Sequence, residues 1–75
     1  MNTGIKNKLK ELIGKEVDFS YSKSGIVVYF PSTPNVEGVV KYKILRIEDD
    51  CVVIENVEDE RYISIDHIST VIIKK

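Results

Sequence analysis

The chain has 75 residues, 43% of them hydrophobic, and its 11 Lys and Arg against 12 Asp and Glu leave a net charge of −1. A near-neutral chain exerts no long-range pull on nucleic acid or an anionic membrane, and its longest apolar run, residues 26–30, falls far short of the roughly 20 residues that span a bilayer. One Cys and one His make neither an internal disulfide nor a four-ligand zinc site, so for so small a core self-association is the expected source of further stability.

Ile5, Leu9, Leu12 and Ile13 fall at i, i+4, i+7 and i+8, with Thr3 placed to cap and Gly14 to stop. This spacing predicts an amphipathic helix over about 3–13. A helix of three turns is unstable alone in water, so its apolar stripe must dock on the sheet that follows. Lys6, Lys8, Lys10 and Lys15 against Glu11 make this start basic. Lys6 and Lys10, one turn apart, set two cations on one face and are candidates for a nucleic-acid backbone; a solvated, solubilising face is the plainer use of the same lysines.

The period then changes from 3.6 to 2, with Val17, Phe19 and Tyr21 alternating against Asp18, Ser20 and Ser22. That is a strand over about 15–22. Residues 23–37 read as an insertion: Lys23-Ser24-Gly25 breaks the strand, residues 26–30 are either a further strand or a continuation after a bulge, and 31–35 form a Pro-rich loop. A long strand follows over 38–48, where the apolar phase slips from Val40, Tyr42 and Ile44 to Leu45 and Ile47. Such a slip predicts a bulge or bend near 44–45. Strands over 51–57, 61–65 and 68–73 complete the chain, separated by the acidic turns at 48–50 and 58–60 and by Asp66-His67.

One short helix followed by five strongly bent antiparallel strands is the outline of a small barrel, a mainly β single domain over 1–75. Sm-like, SH3-like and PRC-like domains share it. The strings "LIGKEV", "RIEDDCVVIEN" and above all "YISIDHISTVII", residues 62–73, order the chain as in bacterial Sm-like proteins of the Hfq type. The closing "HISTV" resembles that family's His, apolar, Ile-Ser-Thr-Val ending with one residue fewer between His and Ser.

The resemblance implies a homo-oligomeric ring in which the fourth strand of one copy pairs with the fifth of the next, removing two sheet edges at each junction. It also implies RNA contacts at His67, in the family's closing turn, and at Tyr21, near the register of a first-sheet tyrosine that reads adenine-rich RNA. Asp66, however, stands where the family has a cationic Lys, and Asp49 and Asp50 fall near its polar-aromatic pair, so the pore would repel phosphate. Taken on its own, His67 reads as a hydrogen-bonded turn residue before it reads as a contact to a base. Tyr21, Tyr29, Phe30, Tyr42 and Tyr62 can stack on bases, and at strand spacing they also serve as packing.

No catalytic residue, cofactor or metal ligand set is expected. There is no Gly-rich phosphate loop and no second His, and Cys51 lies in an apolar strand beside Asp49 and Asp50, a setting that disfavours its thiolate. Glu48, Asp49 and Asp50 lack the spacing of a calcium loop. The sequence has no apolar signal core, and its lone Cys fits a reducing compartment, so a cytoplasmic location is expected. The expected function is a ring-forming Sm-like protein that binds RNA or acts as an RNA-associated adaptor; the alternative is a barrel for protein interaction or assembly without nucleic acid.

Overall fold

The computed structural model describes residues 3–34 and 38–74. Helix α1 (Thr3–Glu11) is followed by strands β1 (Glu16–Ser22), β2 (Gly25–Phe30), β3 (Val39–Glu48), β4 (Cys51–Glu55) and β5 (Glu60–Ser64). A single 3-10 turn, η1 (Ile65–His67), then leads into the last strand, β6 (Ile68–Ile73). No helix among the described residues is long and apolar enough to cross a membrane.

The helix stops at Glu11 rather than 13. Leu12 and Ile13 donate to the carbonyls of Leu9 and Lys10, three residues back, which tightens the last turn. Gly14, at φ +86°, then reverses the chain. Its N–H donates to the Ile44 carbonyl at 2.7 Å while the Ile44 N–H donates to Lys15 at 3.1 Å, stitching the helix exit to the middle of β3. Leu9 and Leu12 are buried in the core, as the apolar stripe requires.

The sheet has six strands rather than five, it is mixed rather than antiparallel, and it is not closed into a barrel. Its order is β5-β4-β3-β1-β2-β6. The difference arises in the 23–37 segment, where Ser22 pairs with Gly25 and folds β2 back along β1 as a hairpin. The strand β2 therefore fills the place beside β1, and β6 pairs with β2 in the parallel direction, Val28 beside Val71 and Phe30 beside Ile73. Residues 35–37 of the same segment, with Asn35 of the expected loop, lie outside the described residues.

Within β3 the register against β4 shifts between Ile44 and Arg46, at the apolar phase slip, and this bulge bends the strand. The strand β4 ends at Glu55 instead of 57, because the Asn56 side chain accepts from the N–H groups of Glu58 and Asp59 and forms a turn in place of the ladder. Curling of the sheet brings its two edge strands together: Ser64 ends β5 and Ile68 begins β6, with only η1 between them. The edges meet through this turn, while no ladder joins them.

Phe19, Val28, Ile44, Val52, Ile54 and Ile65 are fully buried and form the centre of the core with Leu9 and Val17. Phe19 meets Tyr42 edge to face, with ring centroids 5.7 Å apart. Asp18, on the opposite face of β1 from Val17 and Phe19, is also buried, at 2% exposure. The Thr33 N–H and hydroxyl donate to its Oδ2 at 2.8 and 2.7 Å, and Lys41 Nζ donates to its Oδ1 at 3.2 Å. Burial alone would raise this carboxyl's pKa, but these donors outweigh it and hold the group below its ordinary value. The carboxylate thereby fastens the loop after β2 across the outer face of the sheet.

Candidate functional site

Two adjoining clefts share Tyr21, Ile26 and His67. The smaller, about 400 Å³, is otherwise bounded by the β1–β2 turn and Asp66. The larger, about 640 Å³, has Cys51 and the four consecutive β5 residues Arg61, Tyr62, Ile63 and Ser64 along its far side. Successive strand residues point to opposite faces, so a cleft lined by four in a row follows the edge of β5 instead of one of its faces.

Local sequence accounts for this placement. Tyr21 sits at the end of β1, past the buried part of the strand, and is 49% exposed. Gly25 opens β2 at φ +127°, and a Cβ there would stand 2.9 Å from the His67 carbonyl oxygen and 3.2 Å from Ser69 Cβ. Glycine thus lets the hairpin rest directly on η1. Ser69 Oγ donates to the Ile26 carbonyl at 3.3 Å and holds the start of β6 against it. The Ile65 N–H, at the head of η1, donates to the Asp50 carbonyl at 2.8 Å, so the acidic β3–β4 turn positions the other end of the same turn.

Next to the larger cleft, Arg61 and Tyr62 each take part in a contact between a cation and an aromatic ring. Arg61 holds Asp59 through Nε and Nη2 at 3.2 and 3.1 Å and lies 5.8 Å from the centroid of the Tyr42 ring. The Tyr42 hydroxyl donates to the other oxygen of Asp59 at 3.2 Å. Burial and this carboxylate push the Tyr42 hydroxyl's pKa up, against the opposing pull of Arg61. On the outer face, Arg46 lies 5.9 Å from the Tyr62 ring centroid and donates to its hydroxyl at 3.0 Å. Its Nε also donates to Glu48 at 2.7 Å. Within the clefts themselves Tyr21 and Tyr62 supply the rings and Lys23, Arg61 and His67 the donors, a lining that can stack a planar group and hydrogen-bond to it.

The structure brings Tyr21 and His67 together, and it separates them from the other two candidates. Lys6 and Lys10 belong to α1 and line neither cleft. Of the other aromatics, Tyr42 is core, Phe30 packs against it with Lys15 5.8 Å from the ring, and Tyr62 lines the larger cleft. Arg61 and Lys23 were not legible as site residues: one follows an acidic turn and the other interrupts a strand, and neither carries a motif. Among the described residues no three of His, Cys, Asp and Glu converge as a metal site.

No protein family, curated protein or solved structure matches this chain.

Proposed function

We propose that this protein is a non-catalytic, self-associating module of the Sm-like type, built to assemble through its sheet edges and to hold single-stranded RNA at the Tyr21–His67 cleft, directly or as an RNA-associated adaptor. The observation that carries this reading is the pairing left undone: β5 and β6 are the two free edges of one curled sheet, joined by η1. Free edges present unpaired N–H and C=O groups, which another copy satisfies at low cost. The helix on a small bent sheet and the closing "HISTV" support the Sm-like assignment, with one strand, β2, added between the first and last strands of that pattern. Tyr21 and Tyr62 offer partly exposed rings for base stacking, and Lys23, Arg61 and His67 supply hydrogen-bond donors beside them.

One observation favours a second reading, a protein-interaction module without nucleic acid. Lys8, Lys41, Arg46 and Arg61 are each already paired with a carboxylate, which reduces their availability to phosphate.

Native mass measurement combined with fluorescence anisotropy decides between them. The RNA reading expects assemblies larger than 8.6 kDa that bind short U-rich or A-rich oligonucleotides more weakly as salt rises. Assembly without oligonucleotide binding at low salt leaves the protein-interaction reading. A monomer at micromolar concentration overturns self-association.

A further inference from the structure

Asp66 is the one carboxylate in the lining of the two clefts, and it shares the smaller of them with Tyr21, Lys23 and His67. It is exposed and, like Lys23, stands in no salt bridge among the described residues. Its place on η1 is nonetheless fixed. Ile65, the residue before it, is fully buried and donates its N–H to the Asp50 carbonyl at 2.8 Å. On the other side the His67 carbonyl lies against Gly25, and Ser69 Oγ donates to the Ile26 carbonyl at 3.3 Å. A carboxylate held on both flanks and left without a cation is preorganised to accept hydrogen bonds from a ligand.

Resting on the RNA reading above, we infer that this cleft selects guanine within a single strand, with Asp66 as the residue that reads the base. A carboxylate repels phosphate, so in an RNA cleft it is a cost unless a base donates to it. When ionised it only accepts, through two adjacent oxygens. Guanine alone among the four bases carries two adjacent N–H donors on its Watson–Crick edge, N1–H and the N2 amino group, and a carboxylate takes both at once. Adenine and cytosine set a ring-nitrogen acceptor beside their amino group, and the single N–H of uracil lies between two carbonyls. Each of these brings a lone pair against Asp66. The remaining lining suits the same base. Tyr21, 49% exposed, offers a ring face for stacking, and Lys23 and His67 supply donors for the O6 and N7 acceptors of guanine. The volume of about 400 Å³ is that of a small-ligand site.

The test uses the full chain, unchanged and with Asp66→Asn, in fluorescence anisotropy at low salt with short uridine tracts carrying one central guanosine, one central adenosine or neither. The unchanged chain binds the guanosine tract about tenfold more tightly than the other two, the order of one bidentate base contact. Asp66→Asn weakens binding of the guanosine tract and leaves that of the other two equal or stronger. The amide gives up one acceptor, turns a donor against guanine and removes a charge that repels phosphate. Loss of charge alone would strengthen all three alike, so opposite signs identify base reading. Guanosine monophosphate competes far more weakly than the strand; equal potency would overturn the strand as the source of the base. If the unchanged chain binds the three tracts equally, or Asp66→Asn shifts them all alike, guanine selection is overturned while RNA binding stands. No binding of any tract at low salt overturns both.

Discussion

The carbonyl oxygen of His67 lies where a Cβ on Gly25 would come within 2.9 Å of it. This contact joins the β1–β2 hairpin to the turn between the two edge strands, and it places Tyr21 and His67 around one cleft. Both the backbone angle, φ +127°, and the lack of space demand glycine there.

Gly25→Ala is therefore expected to destabilise the fold by about 1–3 kcal/mol. Gly14→Ala provides the comparison, since Gly14 shares a positive φ but has nothing within 4 Å of its Cβ position. Urea unfolding should show the larger loss for Gly25→Ala. Equal losses would mean that the hairpin yields to the added methyl and that the His67 contact imposes no constraint.

Asp18→Ala removes the acceptor that satisfies Thr33 and Lys41, and it should cost about 2–3 kcal/mol. The same carboxylate gives stability a pH dependence of definite sign. Its folded-state pKa lies below the ordinary carboxyl value, so its contribution is fully present above that value and is lost as pH falls through the lower, folded one. Denaturation measured from neutral pH downward should show the gap between wild type and Asp18→Asn narrowing below about pH 4. A gap that stays constant across that range would show that the carboxylate's charge is not what holds the loop.

Val53 is fully buried yet stands outside the main core cluster. In the ladder it has Arg46 on one side and Tyr62 on the other, and the contact between these two side chains closes over it. Tyr62→Ala should lower stability by about 1 kcal/mol, and Tyr62→Phe by less than half of that, because the ring carries the cover and the guanidinium contact while the hydroxyl adds one exposed bond. Thermal melts of the two variants separate these contributions. Identical losses would assign the whole effect to the hydroxyl.

Phe19→Ala empties the centre of the core and removes the edge-to-face partner of Tyr42. The expected loss is about 3–5 kcal/mol, a large part of what a domain of this size has to spare. Circular dichroism at room temperature should show a substantially unfolded chain, and a cooperative native-like melt would contradict that placement.

For ligand binding, the two groups of residues named from the sequence now make separate predictions. Tyr21→Ala with His67→Ala alters the cleft and should weaken oligonucleotide binding by about tenfold, the order of one or two stacking contacts. Lys6→Glu with Lys10→Glu should reduce the salt dependence of binding, with a smaller loss of affinity where the cleft is intact. Anisotropy at two ionic strengths reads both. If the lysine changes abolish binding and the cleft changes leave it untouched, RNA is held on α1.

Much of the local structure was legible in the chain because periodicity is a local property. The apolar stripe of α1, the alternation of β1 and the phase slip that bends β3 each follow from neighbours a few residues apart. The strand β2 was ambiguous for the same reason: a continuous apolar run carries no period, and both a bulge and a hairpin fit it. The clasp at Asp18 was equally hidden, since an acid alternating with apolar residues reads as the solvated side of a strand until a loop is folded over it.

By itself the sequence determined a small mainly β chain with one helix, a buried apolar alternation and too little core to spare. Strand order was decided only in three dimensions, where Gly25 folds β2 back along β1 and β6 pairs with β2 in the parallel direction. Pairing partners depend on which edges remain open after the chain has curled, a long-range condition that no window of neighbouring residues contains. The meeting of Tyr21 with His67 around one cleft follows from that curl.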